Sequence, residues 1–424
     1  MNYLVIGAAK SGVAAANFLA ARGESVVLAD AKADPVLPYE LHADVTRAFG
    51  REDESLLDGI GEVVLSPGVP MTIPLLEAAR LRGIAITGEI ELASRFLQGT
   101  VIAITGSNGK STTTALVGEI LRVAGRDPIV AGNIGEPLIA SLDAERQRTY
   151  VLELSSFQLE AVDRFRANVA VLLNVTPDHM DRYATFEDYA AAKFRIFRNQ
   201  QPDDVAIVNA DLKRPVTPAR VWTFSATRPW FDGTDMILGS TRIPRASLKL
   251  QGIANVENAL AAWLVARAIG VDDKDVRTAF GTFAGLPHRM VLVRELDGVR
   301  WVNDSKGTNV DATLKSLEGF APSSVILILG GKDKAGEFER MRELVKSRAR
   351  AVLTIGSSAE RIASALNGAT AIVPTGDMAH AIEWARANAR SGETVLLSPA
   401  CASFDQYRNF EHRGQHFEEL VNAL

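Results

Sequence analysis

The stretch that most restricts the fold is Val101-Ile102-Ala103-Ile104-Thr105-Gly106-Ser107-Asn108-Gly109-Lys110-Ser111-Thr112-Thr113. A short apolar strand runs into a glycine turn, and Gly-Lys-Ser then opens a helical pattern reaching Ala124. Glycines at Gly106 and Gly109 let backbone N–H groups converge on phosphate oxygens without a Cβ in the way. The start of the helix adds partial positive charge. In such a loop Lys110 reaches the β- and γ-phosphates of a nucleotide, and the Ser111 or Thr112 hydroxyl contacts Mg²⁺. Ile104 stands where the longer phosphate-loop motif carries glycine, so this is a shortened Gly-x-x-Gly-Lys-Ser form.

The same strand–helix alternation runs through the chain. Leu4 to Ile6, Ser25 to Ala29, Val63 to Leu65 and Ile84 to Ile86 read as strands, with helical patterns at Gly12–Ala21 and Pro74–Arg82. Further strands are expected at Tyr150–Leu154, Val169–Asn174 and Val205–Val208. A small antiparallel extension is expected within 221–250, and an Ala-rich helix over Asn255–Ile269. A third set follows at Arg300–Asn303, Val325–Leu329, Ala351–Ile355 and Thr394–Ser398, with helices at Ala359–Ala365 and Ala379–Ala389. Short buried strands alternating with helices predict α/β units with mostly parallel sheets covered on both faces. At roughly 150 residues per domain, three domains are expected. The pattern breaks place them at 1–88, 89–285 and 286–424.

Composition narrows the class. Apolar residues make up 47% and charged residues 23% of the 424, a globular balance that excludes a disordered chain. The net charge of −5 lacks the basic excess of a nucleic-acid binder. Cys401 is the single cysteine, so no disulfide forms within the chain. No basic region precedes the first apolar run, and runs such as Val325–Leu329 are far too short to span a bilayer. The expectation is a soluble cytoplasmic monomer without nucleic-acid or membrane partners.

A second glycine loop, Gly7-Ala8-Ala9-Lys10-Ser11-Gly12, follows the first strand, with Asp30 ending the next. Ala9 replaces the glycine that lets a dinucleotide pyrophosphate approach closely, which leaves a looser diphosphate-nucleotide site. Ser66-Pro67-Gly68-Val69 ends a later strand, where ligands bind in such sheets. Glu153 sits inside the apolar run Val151–Leu154, and a carboxylate there is costly unless paired or metal-bound. His179 ends another strand in the polar cluster Asn174-Val175-Thr176-Pro177-Asp178-His179-Met180-Asp181, placed either to bind metal, to accept a proton or only to support structure. Phe186, Tyr189, Lys193 and Phe197 share one helical face. Lys193 on that apolar stripe is either a snorkelling lysine or a partly buried amine that gives up its proton easily and is available for chemistry.

Together these segments resemble the Mur ligase family, in its D-glutamate-adding branch. The resemblance rests on Thr105–Thr112, Gly132-Asn133-Ile134-Gly135, Leu152–Glu160 and Asn174–Arg182. It continues through Gly285-Leu286-Pro287-His288-Arg289, Asn303-Asp304-Ser305-Lys306-Gly307-Thr308-Asn309 and Leu397–Gln406, in order across all three units. It implies a Rossmann-like N-terminal domain binding UDP, a central phosphate-loop ATPase domain and a C-terminal Rossmann-like domain binding the amino acid. Substrates would be UDP-N-acetylmuramoyl-L-alanine, D-glutamate and ATP, in the synthesis of a peptidoglycan precursor. Ser11, Asp30, Gly68 and Asn133 would contact the UDP substrate. Gly106, Ser107, Asn108, Gly109, Lys110, Ser111 and Thr112 would hold ATP phosphates, with Asn255, Asn258, Arg289 and Asp304 on the adenosine side. Ser111, Glu153 and His179 would serve two Mg²⁺ ions, together with Lys193 once CO₂ has carbamylated it. Lys306, Thr308, Lys334, Ser403 and Phe404 would form the D-glutamate pocket. Ala254 departs from the histidine of some members, and Gly330-Gly331-Lys332-Asp333-Lys334 arranges its charges differently from the usual motif.

The implied chemistry passes through an acyl phosphate, attacked by the amino-acid amine with His179 or the phosphate itself taking the proton. Closure of the domains is expected to protect that intermediate from water. Competing readings are a sister Mur or folylpolyglutamate-type ligase taking another amino acid, an NAD-dependent dehydrogenase, or an ATPase that is not a ligase.

Overall fold

The structure is a computed structural model describing residues 1–424 except 144–145, 181, 251 and 334–335. The chain forms two compact units. The first comprises 1–175, 187–248 and 257–283, and the second 176–186, 249–256 and 284–424.

In the first unit, β1 (Asn2–Ile6), β2 (Ser25–Asp30), β3 (Val45–Phe49), β4 (Glu62–Leu65) and β5 (Ala85–Gly88) build an all-parallel sheet in the order β3-β2-β1-β4-β5. The chain reverses its direction of travel beside β1, which opens a crevice at the carboxyl ends of β1 and β4. Gly7 lies there with φ +96°, and a Cβ on it would come within 2.8 Å of the Ser66 Cβ. Helix Lys10–Ala20 begins directly after it.

A second parallel sheet joins β6 (Gly99–Thr105), β7 (Pro128–Gly132), β8 (Arg148–Glu153), β9 (Val169–Leu172), β10 (Val205–Asn209) and β11 (Arg220–Phe224), in the order β11-β10-β9-β6-β8-β7. Its switch point falls beside β6, so the phosphate loop leaves the sheet where an α/β sheet binds ligands. The expected antiparallel extension is present as the hairpin β12 (Asp235–Leu238) and β13 (Thr241–Pro244). Residues 221–224 do not belong to it: they pair parallel to β10 as an edge strand.

The second unit holds β14 (Val291–Leu296), β15 (Val299–Asn303), β16 (Val325–Gly330), β17 (Ala349–Ile355), β18 (Ala371–Gly376) and β19 (Thr394–Leu397). Their order is β14-β15-β19-β16-β17-β18, with only β14 antiparallel to its neighbour. β16 and β19 are buried along their whole length, as the continuous apolar runs demand. The α/β class with three mostly parallel sheets is as expected.

Candidate functional site

The phosphate loop is held open by its neighbours. Ser107 N donates to Asn174 O at 3.0 Å. Asn108 N donates to Asn174 Oδ1 at 2.8 Å, while Asn174 Nδ2 donates back to Asn108 O at 3.1 Å. Asn174, at the end of β9, thus clamps both backbone groups of Asn108. Gly109 has φ +84°, and a Cβ there would lie 2.3 Å from Asn258 Oδ1. Asn258 also accepts from Thr113 Oγ1 at 3.3 Å, so it braces the first turn of helix Lys110–Val123. Ser111 and Thr112 are buried on that turn, and Thr112 Oγ1 makes no hydrogen bond.

Two lysines meet at one carbonyl. Lys110 Nζ donates to Gly106 O at 2.8 Å and Ser107 O at 2.9 Å, and Lys193 Nζ donates to Gly106 O at 2.9 Å. Lys193 is only 2% exposed, so the snorkelling alternative fails. Its ammonium sits 4.6 Å from the centre of the Tyr189 ring, whose hydroxyl pairs with Ser107 Oγ at 2.9 Å. Two ammonium groups converging on one carbonyl put positive charge at the loop, which favours an anion there.

Glu153 ends β8 almost fully buried. Asn133 Nδ2 donates to its Oε1 at 2.8 Å, whereas its buried Oε2 has no hydrogen-bond partner. An orphan carboxylate oxygen at the strand next to the phosphate loop fits a hard cation, which takes oxygen ligands and substrate phosphates together. Among the described residues no three His, Cys, Asp or Glu side chains gather as a metal cage.

At the first glycine loop, Asp30 Oδ2 accepts from Ala8 N at 2.7 Å and Oδ1 from Lys32 N at 2.9 Å. Its carboxylate therefore shapes the loop itself. Ser11 is half-buried in the first turn of the following helix, and Gly68 has open space around its Cβ position.

The second unit gathers other residues. Asp178 Oδ1 accepts from His179 N at 2.9 Å, and Oδ2 accepts from Asn309 Nδ2 at 2.9 Å. His179 Nε2 stands 3.6 Å from Asp178 Oδ2, on a residue held at φ +57°. Asn309 also caps helix Val310–Glu318 through Ala312 N. A cavity of about 150 Å³ is lined by Asp178, Thr308, Asn309, Asp333, Arg340 and Ala400 among others. Lys306 Nζ lies 3.8 Å from the centre of the Phe410 ring.

Asp304 is buried and accepts from Ser316 Oγ and Ser398 Oγ, each at 2.7 Å. Burial pushes its carboxyl up, with Arg289 among the groups pulling it down. Ser403 is buried, but Phe404 is 68% exposed. Lys334 lies outside the described residues. Asn255 stands near the start of helix Ile253–Ala268.

Sequence reading placed Tyr189 on the Lys193 stripe and Asn309 in a matching segment without giving either a site role, and it passed over Phe410 and Arg413. Arg413 is 1% exposed and donates to Ser305 O, Cys401 O and Ala402 O at 2.9, 3.2 and 3.3 Å. It ties helix Phe410–Asn422 to the loops carrying Lys306 and Ser403. No pattern in the sequence reading marked it.

Comparison with known proteins finds three family matches in order along the chain. Residues 1–88 match the family described as Mur ligase MurD-like, N-terminal domain, 104–266 the Mur ligase middle domain, and 288–401 the Mur ligase, glutamate ligase domain. A UDP-N-acetylmuramoylalanine–D-glutamate ligase of Koribacter versatilis (strain Ellin345) is 45% identical over 441 residues, covering 99% of this chain and 97% of that protein. The fold is shared with a pseudomurein peptide ligase type C from Methanothermus fervidus, at TM-score 0.63 and 18% identity, over 100% of this chain and 99% of that one. It is shared too with the MurF ligase of Thermotoga maritima, solved in complex with ADP, at TM-score 0.61 and 18% identity over 87% of this chain and 91% of that one.

Proposed function

The chain belongs to the Mur ligase family, whose members are ATP-dependent, and from that premise we propose that it joins D-glutamate to the alanyl carboxylate of UDP-N-acetylmuramoyl-L-alanine. In this reading residues 1–88 bind the UDP substrate, 89–285 bind ATP and 286–424 bind D-glutamate. It works as a cytoplasmic enzyme of peptidoglycan precursor synthesis; among the described residues no helix is long and apolar enough to cross a membrane.

The reaction needs a better leaving group than hydroxide. A substrate carboxylate oxygen attacks the γ-phosphorus of ATP, the bond to the bridging oxygen breaks, and ADP leaves. The D-glutamate amine then adds to the acyl phosphate carbon. Collapse of the tetrahedral intermediate expels phosphate, and the amine proton passes to a base. The observation that carries the reading is the pair of ammonium groups on Gly106 O. Lys110 there neutralises charge on the phosphates as it builds up. Asn174 occupies the amides of Ser107 and Asn108 and so fixes the loop, which leaves the amides from Gly109 into the first helical turn to hold the phosphate oxygens.

Glu153, through its orphan oxygen, and the hydroxyls of Ser111 and Thr112 would hold Mg²⁺ with the phosphates; Mg²⁺ supplies charge neutralisation of the transferring phosphoryl group. We assign Lys193 as the lysine carbamylated by CO₂: the ammonium first gives up a proton, the neutral amine bonds the CO₂ carbon and loses a second proton, and the resulting carbamate anion would suit a second Mg²⁺. Asp178 orients His179, which serves the metal or takes the amine proton. Lys306, Thr308 and Ser403 would bind the D-glutamate carboxylates, and Phe410 rather than exposed Phe404 packs against Lys306.

The test is ADP release from the purified enzyme with Mg²⁺, UDP-N-acetylmuramoyl-L-alanine and a panel of amino acids. ADP should form only with D-glutamate. Equal ADP release without amino acid, or with a different one preferred, refutes the assignment.

A further inference from the structure

Lys10 lies inside the first glycine loop, at the opening of helix Lys10–Ala20. Its Nζ stands 3.5 Å from Glu136 Oε1. The other oxygen of that carboxylate accepts a hydrogen bond from the Tyr39 hydroxyl. Glu136 comes from a different sheet: it sits in the loop after β7, where its carbonyl accepts from Gly132 N at 3.0 Å. Tyr39 belongs to the connection between β2 and β3. That connection is pinned to helix Lys10–Ala20 by Asn17, whose Nδ2 donates to Glu40 O and whose Oδ1 accepts from His42 N, both at 2.8 Å. Tyr39 also packs against the apolar core of the first unit. One carboxylate from outside the nucleotide-binding sheet therefore gathers a cation and a hydroxyl donor beside the glycine loop.

No part of the catalytic chemistry uses this trio. Its donor chemistry is that of a phosphate site: an ammonium, a neutral hydroxyl and the adjacent start of a helix. The phenol remains a donor, because burial and the bond to Glu136 push it up to about 12. We propose that Glu136 is an internal substitute for the substrate diphosphate: without substrate it holds Lys10 and Tyr39, and the diphosphate of the UDP substrate takes both donors in its place. Lys10 and Tyr39 are then diphosphate-binding residues, and Glu136 is a competitor that sets affinity. The inference rests on the reading that residues 1–88 bind UDP.

The exchange is favourable on charge. A diphosphate diester carries two negative charges where the carboxylate carries one. Lys10 and Glu136 are 57% and 54% exposed, and an ion pair so exposed is weak and readily given up. The released Glu136 carboxylate returns to water without a desolvation penalty.

The experiment is calorimetric titration of UDP into the full chain and its variants. Glu136→Gln keeps the shape and an acceptor for Tyr39 but removes the charge that competes for Lys10. It should bind UDP roughly 2–5-fold more tightly. Lys10→Met should bind roughly tenfold more weakly, with a shallower dependence on salt. In the double variant the gain from Glu136→Gln should vanish, because Lys10 is what Glu136 competes for. Unchanged or weaker binding by Glu136→Gln, or undiminished binding by Lys10→Met, overturns the proposal while leaving the ligase reading intact. Failure of the parent protein to bind UDP at all overturns both. Exposed side chains at both positions make misfolding a poor explanation, and equal melting temperatures across the variants confirm that.

Discussion

Gly109 meets two demands at once. Its φ of +84° is open to glycine, and a methyl group there would sit 2.3 Å from Asn258 Oδ1. Gly109→Ala must therefore shift the loop or push the Asn258 side chain off its bond with Thr113. A displacement of about 1 Å in a phosphate-binding loop costs on the order of 100-fold. Steady-state kinetics should show kcat/KM for ATP falling by about that factor; a loss under threefold would refute the claim that this backbone is fixed by contact. Lys193→Ala should be nearly inactive in the ADP-release assay, with partial recovery on adding small carboxylates. Recovery by small amines instead would mean that the lysine acts as a cation. At this scale the sequence spoke clearly where chemistry broke a pattern: a lysine on an apolar stripe, a glutamate inside a strand. It was silent on Phe410, and it quoted Asn174 and Asn309 within motifs without giving them a role. These residues are ordinary in their local pattern, and their roles come from contacts with residues far along the chain, Asn309 with Asp178 being one.

At the scale of elements, the short helix Glu89–Ser94 is anchored by its acids. Glu91 accepts from the backbone N–H groups of Asp163, Arg164 and Phe165 at 2.9 to 3.1 Å. Glu89 Oε1 accepts from Ile139 N at 2.7 Å, but its Oε2 is buried without a partner. Burial pushes Glu89 up to about 7, against the pull of the Ile139 and Leu138 amides. Folding thus favours its protonated form, with an ordinary value of 4.5 in the unfolded chain. The native state is least burdened below that value and loses stability as pH rises towards about 7. The loss is of order 3 kcal/mol at most. Glu89→Gln carries no titration, so its melting temperature relative to the parent should climb between those limits and level off above. A difference that stays flat with pH would show that the carboxylate is solvated. Elements themselves were legible in proportion to burial. The phosphate-loop strand and β16 announced themselves as apolar runs. β3, β14 and β18 went unpredicted because each is a sheet edge. Their burial is partial and mixed with polar residues such as Arg47, Arg294 and Thr375, so no continuous apolar run forms.

For the whole molecule, the repeating strand–helix pattern showed three α/β sheets but not which of them share a core. That depends on the outer faces of helices, where Ala and Leu pack equally well against any partner. In the first unit one apolar cluster takes Tyr3, Val13 and Leu28 from around the first sheet and Val101, Leu152 and Ala206 from the second. The second unit has its own clusters, one around Leu327 and Phe338 and another around Trp301 and Phe417. The first glycine loop and the phosphate loop thus belong to one cooperative body. Ligands that bind only the native form stabilise the body that holds them by mass action, about 2.7 kcal/mol at a hundredfold excess over Kd. Scanning calorimetry should therefore resolve two transitions. UDP should raise one of them, and inorganic triphosphate with Mg²⁺ should raise that same one. The other should not move with UDP, whereas Arg413→Met should lower it, since that guanidinium is buried among the backbone carbonyls of Ser305, Cys401 and Ala402. Were UDP and triphosphate to raise different transitions, the shared core would not be what couples the two loops, and the glycine-loop and phosphate-loop domains would unfold as separate bodies.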